Sequence, residues 1–262
     1  MLFNLPNTME FSMKMTRVLT PLAIAVAAMV SAQQASADWL SDGDFVVRVG
    51  ASWIDPDDSH NDLRFTEDFI HEDFDIDADT TWNISAAWLP VEHWGVELMY
   101  IGSTNHDLDL ERIRYDDVYV DVGDYDVGDF DASYANAYLN WYPLSRDCMV
   151  QPYVGIGVNY TDFSDESFSR RFRDDLNSLD LIDIDYGLSH SWGFTGQIGV
   201  DFKFGRESAF LVNAAVLYID ADTDYRVSYT DNLLLPPARF TNEITDVDYS
   251  PWVFNLGVGY SF

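Results

Sequence analysis

From residue 44 onward, the chain contains eight segments in which apolar side chains alternate with polar or small ones. In the last segment, Trp252, Phe254 and Leu256 alternate with Asn255 and Gly257. Successive side chains of a β-strand point to opposite faces, so this period predicts strands with one apolar face. The segments are residues 44–54, residues 80–89, a third that starts at residue 93, a fourth that ends at residue 142, and residues 150–163, 191–204, 209–219 and 251–262.

The connections between these segments alternate between short and long. Each segment is about as long as a tilted membrane strand requires, roughly 9–11 residues. An even number of strands with short turns on one rim is typical of bacterial outer-membrane barrels. The sequence therefore predicts an all-β fold, an eight-stranded antiparallel transmembrane β-barrel with short periplasmic turns and long acidic extracellular loops. The short connections are residues 89–94, 143–149 and 204–208, and the long ones are 55–79, 102–129, 164–187 and 220–247.

A soluble lipocalin-like barrel or a β-sandwich is the alternative, and its apolar face would point inward. The apolar face here carries Trp and Tyr near many strand ends, as membrane interfaces select. The opposite face is rich in Gly, Asn, Ser and Thr, which suits a narrow lumen. We therefore expect the apolar face to contact lipid. The aromatic residues are Trp53, Trp82, Trp88, Trp94, Tyr100, Trp141, Tyr160, Trp192, Tyr218, Trp252 and Tyr260.

The N-terminus has the features of an export signal. Lys14 and Arg17 precede an apolar stretch at residues 18–30, and Ala35-Ser36-Ala37 forms a small-x-small cleavage site. This order is that of a secretory signal peptide. We expect residues 1–37 to be an N-terminal extension and signal peptide that is cleaved, and residues 38–262 to form the barrel.

The formal net charge is −31 at pH 7, which excludes a nucleic-acid-binding protein because phosphates would be repelled. Most carboxylates fall in the long connections. Asp75, Asp77 and Asp79 alternate as in a calcium loop, but Thr80 and Ala86 stand where that loop needs Gly and Glu. We therefore expect no cofactor and no such metal site. Binding of divalent cations by the acidic loops stays open beside a solvated acidic rim.

Catalytic signatures are missing from the sequence. It contains neither G-x-S-x-G nor H-E-x-x-H, and Cys148 is most simply a free thiol without a catalytic role. We expect that the protein is not an enzyme.

Six stretches resemble the OmpW family of small outer-membrane proteins, and together they cover nearly the whole mature chain. They are WGVELMY (94–100), NWYPL (140–144), QPYVGIGVNYTDF (151–163), HSWGFTGQIGVDF (190–202), LVNAAVLYIDADTDY (211–225) and SPWVFNLGVGYSF (250–262).

The resemblance implies a bacterial outer-membrane channel that passes small hydrophobic molecules, with lateral release into the bilayer as one route. It also implies that Tyr260 and Phe262 form a C-terminal signal read by the barrel-assembly machinery. The expected partners are thus outer-membrane lipid, that machinery and small hydrophobic solutes. The alternative is a structural or receptor-like surface protein whose acidic loops bind cations or partners.

The phase of the alternation also assigns residues to the lumen. We expect a polar plug near the short-turn rim, in which Arg48 and Glu97 form an ion pair, and an apolar pocket above it. Core packing alone is the simpler interpretation of the upper residues. The predicted plug is Arg48, Glu97, Asn140, Gln197 and Asp201, and the predicted pocket is Met99, Ile101, Tyr138, Leu217, Ile219 and Val253.

Overall fold

The computed structural model describes residues 44–56, 62–64, 70–115, 118–178, 180–204, 209–234 and 236–262. The predicted signal peptide, residues 1–37, lies outside the described residues. The elements are β1 (Asp44–Asp55), β2 (Asp62–Arg64), β3 (Ile70–Ile76), β4 (Asp79–Val91), β5 (Trp94–Tyr115), β6 (Val118–Trp141), β7 (Val150–Phe168), α1 (Arg170–Ser178), β8 (Leu181–Leu188), β9 (Ser191–Lys203), β10 (Phe210–Ile219), β11 (Asp222–Asp231), β12 (Ala238–Asp248) and β13 (Trp252–Ser261).

Eight of these strands close into an antiparallel barrel, as the alternation predicts. Around the wall the order is β1, β4, β5, β6, β7, β9, β10 and β13. The first and last strands pair from Val46–Ser261 to Asp55–Trp252, so the seam is closed. Closure gives every strand two neighbours, which lipid demands because it offers no hydrogen-bond partners to an open edge.

The two faces of the wall differ as expected for a membrane barrel. Outward Ile156 and Phe194 are 74% and 75% exposed, whereas inward Arg48 is 3% exposed. Exposed apolar side chains on a continuous belt are stable only against lipid tails. The lipid-facing orientation is therefore confirmed, and the soluble alternative is wrong. Aromatic pairs mark the outer edge of the belt: Tyr160–Trp192, Tyr218–Trp252 and Trp53–Phe254, with ring centroids 4.9, 5.1 and 5.2 Å apart.

The β5–β6 hairpin continues far above the lipid, through most of the connection predicted as a loop at residues 102–129. The two strands stay paired from Trp94–Trp141 to Tyr115–Val118, with register shifts at a few points. Alternation persists here, but Asp107 is exposed on the outer face while Leu110 is buried on the other. Carboxylates are favourable on this outer face because it contacts water. A strand in this position can therefore be as rich in Asp as a loop.

The remaining long connections also form regular structure. Strands β8, β11 and β12 make a three-stranded sheet. Tyr186 packs on Phe168 and Tyr225, with ring centroids 4.5 and 5.5 Å apart. Helix α1 begins after Ser169, whose hydroxyl caps it by accepting a hydrogen bond from the Phe172 N–H at 3.1 Å. In the described part of the chain, no helix has the length and apolar character needed to cross a membrane.

Replacing Ile156 by Lys tests the lipid contact, because Ile156 points outward from the middle of the apolar belt. We expect the free energy of unfolding in lipid vesicles, measured by urea titration, to fall by about 2–4 kcal/mol. The matched control is Val91→Lys at the short-turn end of β4, which should lower the free energy of unfolding by only about 0–1 kcal/mol. Equal effects of the two lysines would contradict the membrane position.

Candidate functional site in the barrel lumen

A buried ionic network crosses the lower lumen. Arg48 on β1 donates from Nη1 to Glu97 Oε1 on β5 at 2.9 Å. It also donates to Asp201 on β9 through Nε and Nη2, at 3.0 and 2.6 Å. All three side chains are almost completely buried. The ion pair expected between Arg48 and Glu97 is thus present, and Asp201 adds the stronger, two-pronged half.

Amide side chains complete the hydrogen bonding of the two carboxylates. Asn140 and Gln197 donate to Glu97 Oε2 at 2.6 and 3.0 Å, and Gln197 also donates to Asn140 Oδ1 at 2.8 Å. Asn213 donates to Asp201 Oδ1 at 2.8 Å. The structure therefore brings all five predicted plug residues into one hydrogen-bonded cluster.

Two participants are missed by reasoning from sequence. Asn213 lies in register with Asp201, and its Nδ2 also donates to Tyr153 Oη at 3.0 Å. The Tyr153 ring stands 5.4 Å from the Arg48 guanidinium carbon, where it stabilises the cation. Both residues have the inward phase of their strands, and this is the signal from which they could have been found.

Glycines give the network the room it needs. A Cβ at Gly155 would lie 2.1 Å from Asn140 Oδ1 and 2.9 Å from Gln197 Cγ. A Cβ at Gly199 would lie 2.4 Å from the Tyr153 hydroxyl oxygen. The Gly-rich inward face of β7 and β9 therefore lets large polar side chains from other strands cross a narrow lumen.

The predicted apolar pocket residues adjoin this network on its outer side, and Tyr138 and Leu217 stand directly opposite Glu97 and Gln197. Met99, Ile101, Tyr138, Leu217, Ile219 and Val253 are all buried and belong to one hydrophobic cluster. The lumen above the network, called the chamber from here on, is mixed, however, because inward positions of β1, β4, β6 and β7 at this height carry polar side chains. Asn83 donates to Ser52 Oγ at 2.8 Å, and Asn159 donates to Asn136 Oδ1 at 2.9 Å. The upper lumen that was expected to be apolar therefore also contains amide and hydroxyl side chains.

An aromatic lid closes the outer end of the chamber. Tyr249, from the segment between β12 and β13, stacks on Tyr134 with ring planes 9° apart. Its hydroxyl lies 2.5 Å from the Tyr134 hydroxyl and 2.8 Å from His106 Nε2. Phe130 and Phe163 pack against its ring edge-on. The lid, defined as these five side chains, is not apparent from the sequence because Tyr249 lies outside any alternating segment.

Hydrogen bonding fixes the tautomer of the lid histidine. His106 Nδ1 lies 2.7 Å from the Asp77 carbonyl oxygen, which can only accept, so Nδ1 carries the proton. Nε2 is then an acceptor, and the hydroxyls of Tyr249 and Thr104 both lie 2.8 Å from it. His106 lies above the apolar belt, and its burial among the lid side chains lowers its pKa, which favours a neutral ring.

The predicted C-terminal signal residues lie on the outer face. Tyr260 and Phe262 are exposed, their ring centroids are 4.9 Å apart, and Tyr260 packs on Phe210 at 5.1 Å. This places both rings at the lipid-facing, periplasmic end of the closing strand. Their recognition by the assembly machinery stays a prediction.

The outer face of the β5–β6 hairpin carries closely spaced carboxylates. Asn105 Nδ2 donates to Asp131 Oδ1 at 2.9 Å, and the Asn105 N–H donates to Asp79 Oδ2 at 3.0 Å. Partial burial and neighbouring carboxylates, Asp77 first, raise the pKa of Asp107. Within the described ranges, no group of three or more His, Cys, Asp or Glu side chains is arranged to hold a metal ion. Cation binding by the loops stays a prediction.

Replacing Arg48 by Met should destabilise the barrel strongly. The change leaves Glu97 and Asp201 buried without their cation, which costs about 3–5 kcal/mol of unfolding free energy in urea titrations. The triple variant Arg48→Met/Glu97→Gln/Asp201→Asn removes all three charges and should recover most of that loss. The control Arg146→Ala breaks a half-exposed pair with Asp44 and should cost no more than about 1 kcal/mol. Equal costs for Arg48→Met and Arg146→Ala would contradict the assigned burial.

Comparison with known proteins agrees with this architecture. Outer membrane protein W of Escherichia coli (strain K12) is 28% identical over 244 residues, which cover 93% of this chain and 99% of that protein. The protein of the same name from Vibrio cholerae is 25% identical over the same shares. The crystal structure of OprG from Pseudomonas aeruginosa superposes with a TM-score of 0.64 at 29% identity, covering 84% of this chain and 96% of that one.

A more distant neighbour shares the fold alone: AlkL in lipid bilayers has a TM-score of 0.51 at 20% identity, covering 84% of this chain and 90% of that one. The sequence profile of the OmpW family matches residues 41–262. The chain therefore belongs to the OmpW family and is an outer-membrane β-barrel protein.

Proposed function

We propose that the protein is a passive channel that admits small hydrophobic molecules from outside into the upper lumen and releases them sideways into the bilayer. The observation that supports this most directly is the Arg48–Glu97–Asp201 network below a largely apolar chamber. An apolar molecule could continue downward only by separating buried charges that it cannot solvate, which is costly. The proposal assigns the chain no catalytic step.

The wall offers a weak place at the height of the chamber. The β4–β5 ladder ends at the Asn83–Ile101 pair, and the β5–β6 register shifts between Ile101 and Thr104. Strand β5 thus bulges at Gly102 and Ser103, and such bulges interrupt the ladder locally. The Trp82 ring of β4 packs against Gly102 and covers the bulge on that side. Ile101, an apolar chamber residue, lies directly below this bulge. The bulge is the exit that we propose.

Two polar substitutions on one strand separate sideways release from passage through the whole barrel. Leu217 and Leu211 are both buried inward residues of β10, but Leu217 lies above the network and Leu211 below it. Leu217→Asn should slow entry of an apolar solute about 5- to 10-fold, because an unpartnered amide makes the chamber less favourable for it. Leu211→Asn should leave the rate unchanged.

The measurement is the rise in fluorescence of N-phenylnaphthylamine as it enters cells that carry each variant at equal amounts in the outer membrane. Hydrolysis of nitrocefin in the periplasm serves as the polar comparison and should not increase with the protein. A slowed dye uptake in Leu211→Asn would show passage through the lower lumen. Equal uptake with and without the protein would refute the channel.

Removing the lid side chain Tyr249 should open the entrance. Tyr249→Ala deletes the ring that packs on Tyr134, Phe130 and Phe163. We expect dye uptake several-fold faster than in the unmodified protein. The control Tyr229→Ala removes a ring stacked on Phe240 in the β11–β12 hairpin and should leave uptake unchanged. An unchanged rate in Tyr249→Ala would mean that solutes enter elsewhere.

A further inference from the structure

Among the described residues, four Ser, Asn and Gln side chains of the lumen each present a buried atom without a hydrogen-bond partner in the protein. The side chains are more than nine-tenths buried, so bulk water does not reach them freely. Buried polar atoms are normally satisfied, and each exception calls for a ligand or another physical explanation. The four atoms are Ser85 Oγ, Asn136 Nδ2, Gln197 Oε1 and Asn255 Oδ1.

Three of these side chains share one neighbour, Met99. Ser85 and Asn136 are the cross-strand partners of Met99 on either side. Residues directly opposite in neighbouring strands have Cβ atoms about 4.5–5.5 Å apart. Asn255, from the far side of the lumen, places its Nδ2 3.5 Å from the Met99 sulfur. Gln197 belongs to the network immediately below. Ser85 is also the cross-strand partner of Arg48. The unpaired atoms therefore lie where the floor of the chamber meets the ionic network.

A chain of hydrogen bonds determines which of the unpaired atoms are donors and which are acceptors. The Thr161 hydroxyl donates to Asn159 Oδ1 at 2.7 Å, and Asn159 Nδ2 donates to Asn136 Oδ1 at 2.9 Å. The free end of this chain is Asn136 Nδ2, which is a donor. Gln197 donates from its nitrogen to Glu97 and Asn140, so its free oxygen is an acceptor. The floor thus offers one donor beside acceptors from an amide and a hydroxyl.

We propose that this floor binds the hydroxyl group of a small, otherwise apolar molecule. A hydroxyl both accepts, here from Asn136, and donates, here to the free oxygens of the floor, Asn255 Oδ1 and Ser85 Oγ among them. The hydrocarbon part then lies upward among Ile101, Leu217 and Val253, which are fully buried apolar side chains of the chamber. This inference rests on the proposed function and narrows its solutes from hydrophobic molecules in general to those with one alcohol group.

The test compares 1-hexanol with hexane, which differ in the hydroxyl alone. Binding is followed in lipid nanodiscs by NMR, through the Asn136 side-chain amide and the Met99 methyl group. We expect both NMR signals to shift in a saturable way as 1-hexanol is added. Hexane should bind about tenfold more weakly than 1-hexanol, because it cannot form the hydrogen bond, and one neutral hydrogen bond accounts for a difference of that size.

Variants show whether the unpaired atoms cause the preference. Ser85→Ala deletes an oxygen without a protein partner, and Asn255→Leu deletes such an oxygen together with a nitrogen that only approaches the Met99 sulfur, so the barrel should stay folded. Each should reduce the preference for 1-hexanol to less than about threefold. The matched control Ser52→Ala removes a lumenal hydroxyl that already accepts a hydrogen bond from Asn83 at 2.8 Å, and it should keep the full preference.

The possible failures are distinct. Equal binding of 1-hexanol and hexane would overturn this inference and leave the proposed channel for apolar molecules intact. Water cross-peaks at the Asn136 amide that persist at saturating 1-hexanol would show that the floor is a hydration site and would also overturn it. Binding of neither probe in the chamber would refute both the inference and the proposed function.

Discussion

The absence of hydrogen-bond partners in lipid determines the whole architecture. Each backbone N–H and C=O in the membrane must find its partner within the protein, so the wall must close on itself. Pairing of β1 with β13 provides that closure. It also sets the alternation seen in the sequence, since a closed wall has one face toward acyl chains and one toward a lumen. The ionic network, the chamber and the lid all lie on the second face or above the lipid.

A wall of eight strands leaves a lumen only about as wide as its own side chains. Function in such a barrel depends on which side chains fill each height. Here a charged layer lies low, a mixed apolar and amide layer lies above it, and aromatic rings close the outer end. The glycines at positions 155 and 199 are as important to this layering as the large residues, because side chains from other strands occupy the space that a Cβ would take.

The fold could be predicted from the sequence because strand alternation is a local property. The phase of Arg48 and Glu97 assigned both to the lumen, and their similar height above the rim placed them together. The two-pronged contact of Asp201 with Arg48 could not be predicted, because it depends on the tilt and register of strands far apart in the chain. Phase alone also gave too simple a picture of the chamber, since it did not show that Asn136 and Asn159 pair with each other.

Two other features were out of reach for a different reason. The extent of the β5–β6 hairpin depends on where the lipid ends. Carboxylates are unfavourable on the outer face of a strand that contacts lipid, but they are favourable where that face contacts water. Tyr249 reaches its place through a connection that has no periodicity. Both depend on surroundings that a residue pattern does not describe.

The layout of the ionic layer bears on how the barrel is made. Arg48 is separated by 49 residues from Glu97 and by 153 residues from Asp201. Its partners therefore come together only when strands from the beginning, middle and later part of the chain have joined the same sheet. An incompletely assembled barrel would hold an unneutralised guanidinium and two lone carboxylates beside acyl chains. Such an intermediate is disfavoured, so we expect neutralisation across the lumen to make closure of the barrel cooperative.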